Sequence, residues 1–230
     1  MKYKLYHGDC IEVMRTLPDQ SIDVVLCDIP FGVVNRESNG LRNLDKGKAD
    51  KLTFSLVDAL QECDRLTKNT IHIFCGTEQI SMIRGYFPDY STRVFVWEKT
   101  NPSPLNCEHM WLSSIELSVY IRKKGAIFNG FYLSPVYKSP TTINPIHPTQ
   151  KPVELMEYLI KTYTNEGETV LDFTMGSGST GVAAMRTNRK FIGIELNLEY
   201  YNIATTRIRN AAGEFVPTEK EKETSQMSLL

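Results

Sequence analysis

Residues 169–185 read TVLDFTMGSGSTGVAAM, and this stretch decides the fold. Thr169, Val170 and Leu171 are β-branched or apolar, as a short buried strand requires, and Asp172 closes the polar end of the run. Gly176, Gly178 and Gly181 follow at G-x-G-x-x-G spacing, and Val182, Ala183 and Ala184 begin the interior of a helix. Such a glycine pattern carries meaning between a strand and a helix. Glycine lets the backbone turn sharply and lets a ligand come against its amides, while the amino end of a helix favours anionic or polar groups. The next apolar run, KFIGIE at 190–195, ends in Glu195, placed to accept hydrogen bonds from both hydroxyls of a ribose. A nucleotide-like ligand is the expectation. NAD is the rival, yet a dehydrogenase places this unit early in its domain, and here it begins near residue 169 of 230.

Working outward, β-branched runs at 21–28 (SIDVVLCD), 70–75 (TIHIFC), 92–97 (TRVFVW) and 113–121 (SSIELSVYI) also read as strands. Helical spacing lies between them. Leu52, Leu56, Ala59, Leu60 and Cys63 share one side of 51–66, and Val153, Met156, Leu159, Ile160 and Tyr163 share one side of 153–163, entered through Pro152. Strands alternating with helices imply a doubly wound α/β fold, its mostly parallel sheet covered on both faces. The polar segments 32–50 and 99–111 read as long loops, and the chain from Glu214 onward lacks a periodic apolar face, as a disordered tail does.

Composition narrows the class. With 26 Lys and Arg against 27 Asp and Glu, the net charge of −1 excludes a uniformly basic nucleic-acid coat protein while permitting a local basic face. The amino terminus lacks an apolar signal core, and no stretch approaches the roughly 18 apolar residues of a spanning helix, so a soluble, cytoplasmic protein is expected. The 5 cysteines, Cys10, Cys27, Cys63, Cys75 and Cys107, never form a C-x-x-C pair, so neither a disulfide framework nor a zinc ribbon is indicated.

The run at 21–28 delivers Asp28-Ile29-Pro30-Phe31-Gly32 to its carboxyl end, where a parallel strand meets a ligand crevice. Asp28-Ile29-Pro30-Phe31 resembles the D-P-P-Y motif of the amino-methyltransferases of DNA. Asp172 to Ser179 resembles their S-adenosylmethionine motif, and His147-Pro148-Thr149-Gln150-Lys151-Pro152 matches a third family motif letter for letter. WEKTNPSP at 97–104 is also similar. The order catalytic, variable, cofactor is the family's permuted beta arrangement. The resemblance spans residues 7 to about 208 and departs at Ile29 and Phe31, where the family has proline and tyrosine.

That resemblance implies a circularly permuted, Rossmann-like methyltransferase domain over 1–212, recognition loops at about 33–51 and 99–147, and a tail over 213–230. The implied reaction moves a methyl group from S-adenosylmethionine to the N6 amine of adenine flipped out of double-stranded DNA, with no metal. An exocyclic amine is a poor nucleophile because its lone pair is delocalised, so it needs acceptors for its hydrogens: the Asp28 carboxylate and the Ile29 carbonyl. Pro30 stiffens the turn and Phe31 offers a stacking face. The family implies cofactor contacts from Asp9, Cys10, Asp28, His147, Thr149, Lys151, Asp172, Phe173, Thr174, Gly176, Ser177, Gly178, Ser179, Glu195 and Leu196. Asp9 is equally suited to cap a helix over CIEVMRTL, and Lys151 to stand solvated before one.

For DNA, no acid occurs from Leu117 through Val153, while Arg122, Lys123, Lys124, Lys138 and Lys151 add positive charge among aromatic residues. Arg36, Asn39, Arg42 and Lys46 follow the catalytic motif and suit base-edge or phosphate contacts. So small a recognition element implies a short target, or help from a second subunit in a homodimer. A prokaryotic or phage-encoded, restriction-modification type of enzyme is expected. Alternatives are transfer to cytosine N4, RNA or a protein amide, and a DNA-binding relative without activity.

Overall fold

Ile22, Val24, Val25, Leu26 and Cys27 are all buried, so the strand they form has helices against both its faces. The computed structural model describes residues 2–31, 52–103, 111–142 and 150–214. Within them the order is β1 (Tyr3–His7), α1 (Cys10–Thr16), β2 (Ile22–Asp28), α2 (Leu56–Leu66), β3 (Thr67–Cys75), α3 (Gln79–Tyr86), β4 (Ser91–Lys99), β5 (Ile115–Arg122), β6 (Val136–Ser139), α4 (Val153–Tyr163), β7 (Thr169–Asp172), α5 (Ser179–Arg186), β8 (Lys190–Glu195) and α6 (Leu198–Ala211).

One 8-stranded sheet joins them in the order β1-β8-β7-β2-β3-β5-β4-β6. Only β5 runs against the rest, antiparallel to both β3 and β4. Side chains alternate across the sheet and feed two cores. Val25, Cys27, Ile71 and Ile73 pack with Ile11 and Met14 of α1, Leu60 and Cys63 of α2 and Ile83 of α3. Val24, Leu26, Phe74 and Val170 pack with Leu155 and Leu159 of α4, Ala183 of α5 and Ala204 and Ile208 of α6. The result is three layers, with the sheet in the middle.

The permutation is visible in the strand order. β7 lies beside β2 with Val24 opposite Val170, so the two chemistry-bearing strands, far apart in sequence, are neighbours. β1 lies beside β8 with His7 opposite Glu195, and the Gly8 amide donates to the Glu195 carbonyl at 3.0 Å.

Several expectations shift at their edges. The glycine segment enters α5 at Ser179, so Gly181 sits inside the helix rather than ahead of it. A Cβ there would stand 2.4 Å from Ile208 Cδ1 and 2.7 Å from Phe191 Cε1, so glycine at 181 serves the close packing of α5 on α6. The helix expected from 51 begins at Leu56, capped by Ser55, whose hydroxyl accepts from the Asp58 amide. β1 and β6 were not anticipated, because Tyr3–His7 and Val136–Ser139 are short and mix polar with apolar residues. Glu214, assigned to the tail, accepts a bond from Tyr3 Oη at 2.5 Å; residues 215–230 lie outside the described residues. Cys10, Cys27, Cys63 and Cys75 are buried free thiols, and Cys107 lies outside the described residues.

Candidate active site

β1, β8, β7, β2 and β3 are consecutive and parallel, so their carboxyl ends fall on one edge of the sheet. Asp9, Glu195, the loop after Asp172, Asp28 and Gly76 follow one another along it.

The glycine loop is braced from below. Gly176 and Gly178 take φ of 50° and 82°, in the left-handed region that glycine enters without strain. Asp172 is buried and accepts from the Thr174 amide at 3.1 Å. Burial pushes its carboxyl up to about 7, against hydrogen bonds from Thr180 and the Thr174 amide that work the other way. Glu195 clamps the far side: Oε2 accepts from the Gly176 amide and Oε1 from the Asn197 amide, each at 2.8 Å. Burial raises its carboxyl too, opposed by those amides. Arg207, on α6, donates to the Ser177 carbonyl at 2.5 Å and to its hydroxyl at 3.0 Å. Phe173 turns into the core rather than toward a ligand, with its ring edge-on to Phe54. Leu196 is exposed, and its carbonyl accepts from His7 Nε2 at 3.0 Å. Asp9 caps α1, its Oδ1 accepting from the Ile11 and Glu12 amides at 2.9 and 3.0 Å, while Cys10 is buried and its thiol is pushed up to about 12 by burial and by Asp9. Ser179 Oγ, on the first turn of α5, is buried without a hydrogen-bond partner among the described residues. Two left-handed glycines and an orphaned hydroxyl fit a polar ligand seated on this loop.

Asp28 ends β2 directly beside that loop, and its carbonyl accepts from Thr174 Oγ1 at 3.1 Å. The Ile29 amide donates to the Phe74 carbonyl at 3.1 Å, and the Ile29 side chain is buried in the core. An apolar residue in place of the family's proline therefore suits the packing. Pro30 offers its carbonyl to Gln79 Nε2 at 3.0 Å. Phe31 is half-buried, with the Lys151 ammonium 5.7 Å from its ring centroid.

Lys151 is not the solvated lysine that stood as the alternative to its implied cofactor contact. It is 5% exposed, pairs with Asp28 Oδ2, and reaches Glu116 Oε2 at 3.0 Å. Glu116 Oε1 in turn meets Lys99 Nζ at 2.7 Å. The four side chains alternate in sign from Asp28 to Lys99, which lets charges persist where isolated ones would be costly. Burial disfavours a charged Lys151, but Asp28 and Glu116 outweigh it and raise its pKa above the ordinary lysine value. Burial also pushes the Glu116 carboxyl up, and the Lys151 and Lys99 ammonium groups overcome this and hold it at about 2. Glu116, Lys99, Gln79 and Arg207 were missed by the sequence reading. For Glu116 a signal existed: an acid within the β-branched run SSIELSVYI needs a buried cation.

The basic cluster at 122–124 is not part of this edge. Because β5 runs antiparallel, Ser118 lies opposite Phe74, level with Asp28, and Arg122 lies opposite Thr70, toward the amino ends of the other strands. Four residues of strand put it about 13 Å from the level of Asp28. Lys123 is spent on Asp64, its Nζ 2.7 Å from Oδ1 and 2.5 Å from the backbone carbonyl. Arg122 donates to the Ala126 carbonyl at 3.1 Å, and Lys124 is exposed. Arg36, Asn39, Arg42, Lys46, His147 and Thr149 lie outside the described residues.

The family described as DNA methylase matches residues 97–206, which take in the Lys99–Glu116–Lys151 array and the glycine loop. Over that span the chain is similar to DNA methylases. Among curated proteins of similar length, it is 28% identical to the Type II methyltransferase M2.DpnII of Streptococcus pneumoniae, over 90% of each chain. It is 26% identical to the Type II methyltransferase M2.MboI of Moraxella bovis, over 99% of this chain and 95% of that one. The crystal structure of an M1.HpyAVI–SAM complex superposes with a TM-score of 0.70 at 29% identity, covering 90% of this chain and 98% of that one. The PvuII DNA methyltransferase, specific for cytosine N4, shares the fold at a TM-score of 0.70 and 16% identity, covering 99% and 91% of the two chains.

Proposed function

We propose that the protein transfers a methyl group from S-adenosylmethionine to the N6 amine of adenine in DNA. The observation that carries this reading is the adjacency of β2 and β7, which sets Asp28 against the glycine loop through Thr174 Oγ1, 3.1 Å from the Asp28 carbonyl. A relative of the same length and fold, crystallised as a SAM complex, supports the choice of ligand for that loop.

When bound, S-adenosylmethionine would supply an activated methyl group on a positive sulfur, which the amine's lone pair would take as the C–S pair returned to sulfur. The chain's part is positioning and electrostatics. Asp9, Glu195 and the amides of Ser177 and Ser179 would hold the nucleoside and methionine portions on the carboxyl edge. Asp28 and the Ile29 carbonyl would accept the two amine hydrogens and turn the lone pair toward the methyl carbon. The methylated amine is left cationic and must lose one proton, for which the Asp28 carboxylate is the adjacent acceptor. Lys151 keeps that carboxylate charged and aimed by holding its other oxygen. Phe31 provides the face for an adenine turned out of the duplex.

The DNA face is assigned to the loops around the carboxyl edge. The segment entering β5 there exposes Trp111 almost completely and Leu112 beside it. Arg36, Asn39, Arg42 and Lys46 join them in this reading, and 122–124 does not. The bacterial relatives suit a cytoplasmic enzyme, and no helix among the described residues is long and apolar enough to cross a membrane. Labelled methyl transfer from S-adenosylmethionine, offered in parallel to duplex DNA, RNA and protein, tests the acceptor class. Label in DNA alone is expected, and label in RNA or protein without DNA would overturn the reading.

A further inference from the structure

Asp28 lies opposite Phe74 in the parallel pairing of β2 with β3, and the Ile29 amide continues it by donating to the Phe74 carbonyl at 3.1 Å. In a parallel ladder, a residue that donates to one partner carbonyl accepts, through its own carbonyl, from the amide two residues further along. For Ile29 that amide belongs to Gly76. The Gly76 amide is engaged elsewhere: it donates to Gln79 Oε1 at 2.8 Å. The other end of the same carboxamide, Gln79 Nε2, donates to the Pro30 carbonyl at 3.0 Å. Gln79 is held for this task at the start of α3, its own amide donating to the Gly76 carbonyl at 3.0 Å, so the side chain folds back over the turn.

We propose that Gln79 is a positioning residue for methyl transfer, intercepting the Gly76 amide and so leaving the Ile29 carbonyl to accept from the substrate amine. The inference rests on the reading that this carbonyl is the amine's second acceptor. The loop's neighbouring polar groups are taken: the Asp28 carbonyl by Thr174, the Ile29 amide by Phe74 and the Pro30 carbonyl by Gln79. Glutamine suits the post because one planar group presents an acceptor to Gly76 and a donor to Pro30 side by side. Gly76 suits it as well, since a Cβ there would press to 3.2 Å from Phe31 Cβ and 3.4 Å from the Phe31 carbonyl oxygen. The strand end is thus fitted against the stacking residue while its amide is drawn away from the ladder.

Two variants separate the parts. Gln79→Leu removes both bonds and frees the Gly76 amide to complete the ladder, whereas Gln79→Glu keeps an acceptor for Gly76 and loses the donor to Pro30. In Gln79→Leu, kcat for DNA methylation should fall at least about tenfold while calorimetric affinity for S-adenosylmethionine stays within about threefold, the pattern of a defect felt in the transition state. Gln79→Glu should retain more of the turnover. A kcat for Gln79→Leu within twofold of the parent, or equal losses in both variants, would overturn the proposal. An activity-independent readout is the scalar coupling across a hydrogen bond between Gly76 15N and Ile29 13C′, expected to be absent in the parent and present in Gln79→Leu. Its presence in the parent would overturn the role of Gln79 even if methylation proceeds. A parent without methyl transfer would instead overturn the functional reading, and the coupling would still decide what Gln79 does.

Discussion

Asp28 serves two partners at once: Lys151 on one oxygen within the protein, and the substrate amine in the proposed reaction. Replacing it with alanine removes an acceptor needed most when the amine becomes cationic, so turnover should fall below about a hundredth of the parent's. S-adenosylmethionine affinity should weaken by less than about tenfold, because Lys151 still has Glu116 as a counter-charge. Steady-state kinetics with calorimetry measures both; retention of more than about a tenth of the turnover would remove Asp28 from this role. Glu116 carries a pH signature. Its carboxyl is held at about 2 in the folded protein, against about 4.3 in an unfolded chain. As pH falls, the unfolded chain therefore binds this proton first, so the stability Glu116 contributes is complete above about pH 4.3 and is lost toward about pH 2. Glu116→Gln should be less stable than the parent at neutral pH, with a deficit that narrows between about pH 5 and 3 in urea unfolding. A deficit independent of pH would show that the Glu116 charge is not what matters.

At the scale of elements, what was legible in the sequence was what lies contiguous within it. The central strands announced themselves as β-branched runs, the glycine loop by spacing, and Asp28 by its place at a strand end. Glu116, Lys99 and Gln79 come singly from β5, β4 and α3, and only the folded sheet brings them to Lys151, Asp28 and Pro30. The charge run at 122–124 shows the opposite case. Its residues are adjacent in sequence, but which end of the sheet they occupy depends on the direction of β5, and a strand's own pattern does not encode its direction. Replacing Arg122, Lys123 and Lys124 together with neutral residues should therefore leave the slope of log K against log salt for DNA binding unchanged. Each lost phosphate contact would instead reduce its magnitude by about 0.9. A salt titration on duplex DNA distinguishes these outcomes. The triple variant should lose some stability, since Lys123 ties β5 to Asp64 on α2.

For the molecule as a whole, a net charge of −1 and the one sheet of the described residues leave attraction to DNA to local features, and the chemistry to one edge. Strands from both ends of the chain meet at that edge: β1 with β8, and β2 with β7. The fold alone does not choose the base, since the cytosine-N4-specific PvuII enzyme superposes as well as the M1.HpyAVI complex does. What points to adenine is Asp28, because in the family that the motif resembles an aspartate opens the motif of adenine enzymes and a serine that of cytosine-N4 enzymes. The most direct test is to methylate duplex DNA with the purified protein and labelled S-adenosylmethionine, digest it to nucleosides, and resolve the products by mass spectrometry, with Asp28→Ala alongside. Label should appear as N6-methyladenine with the parent and disappear with the variant; label in N4-methylcytosine, or equal labelling by both proteins, would contradict the account.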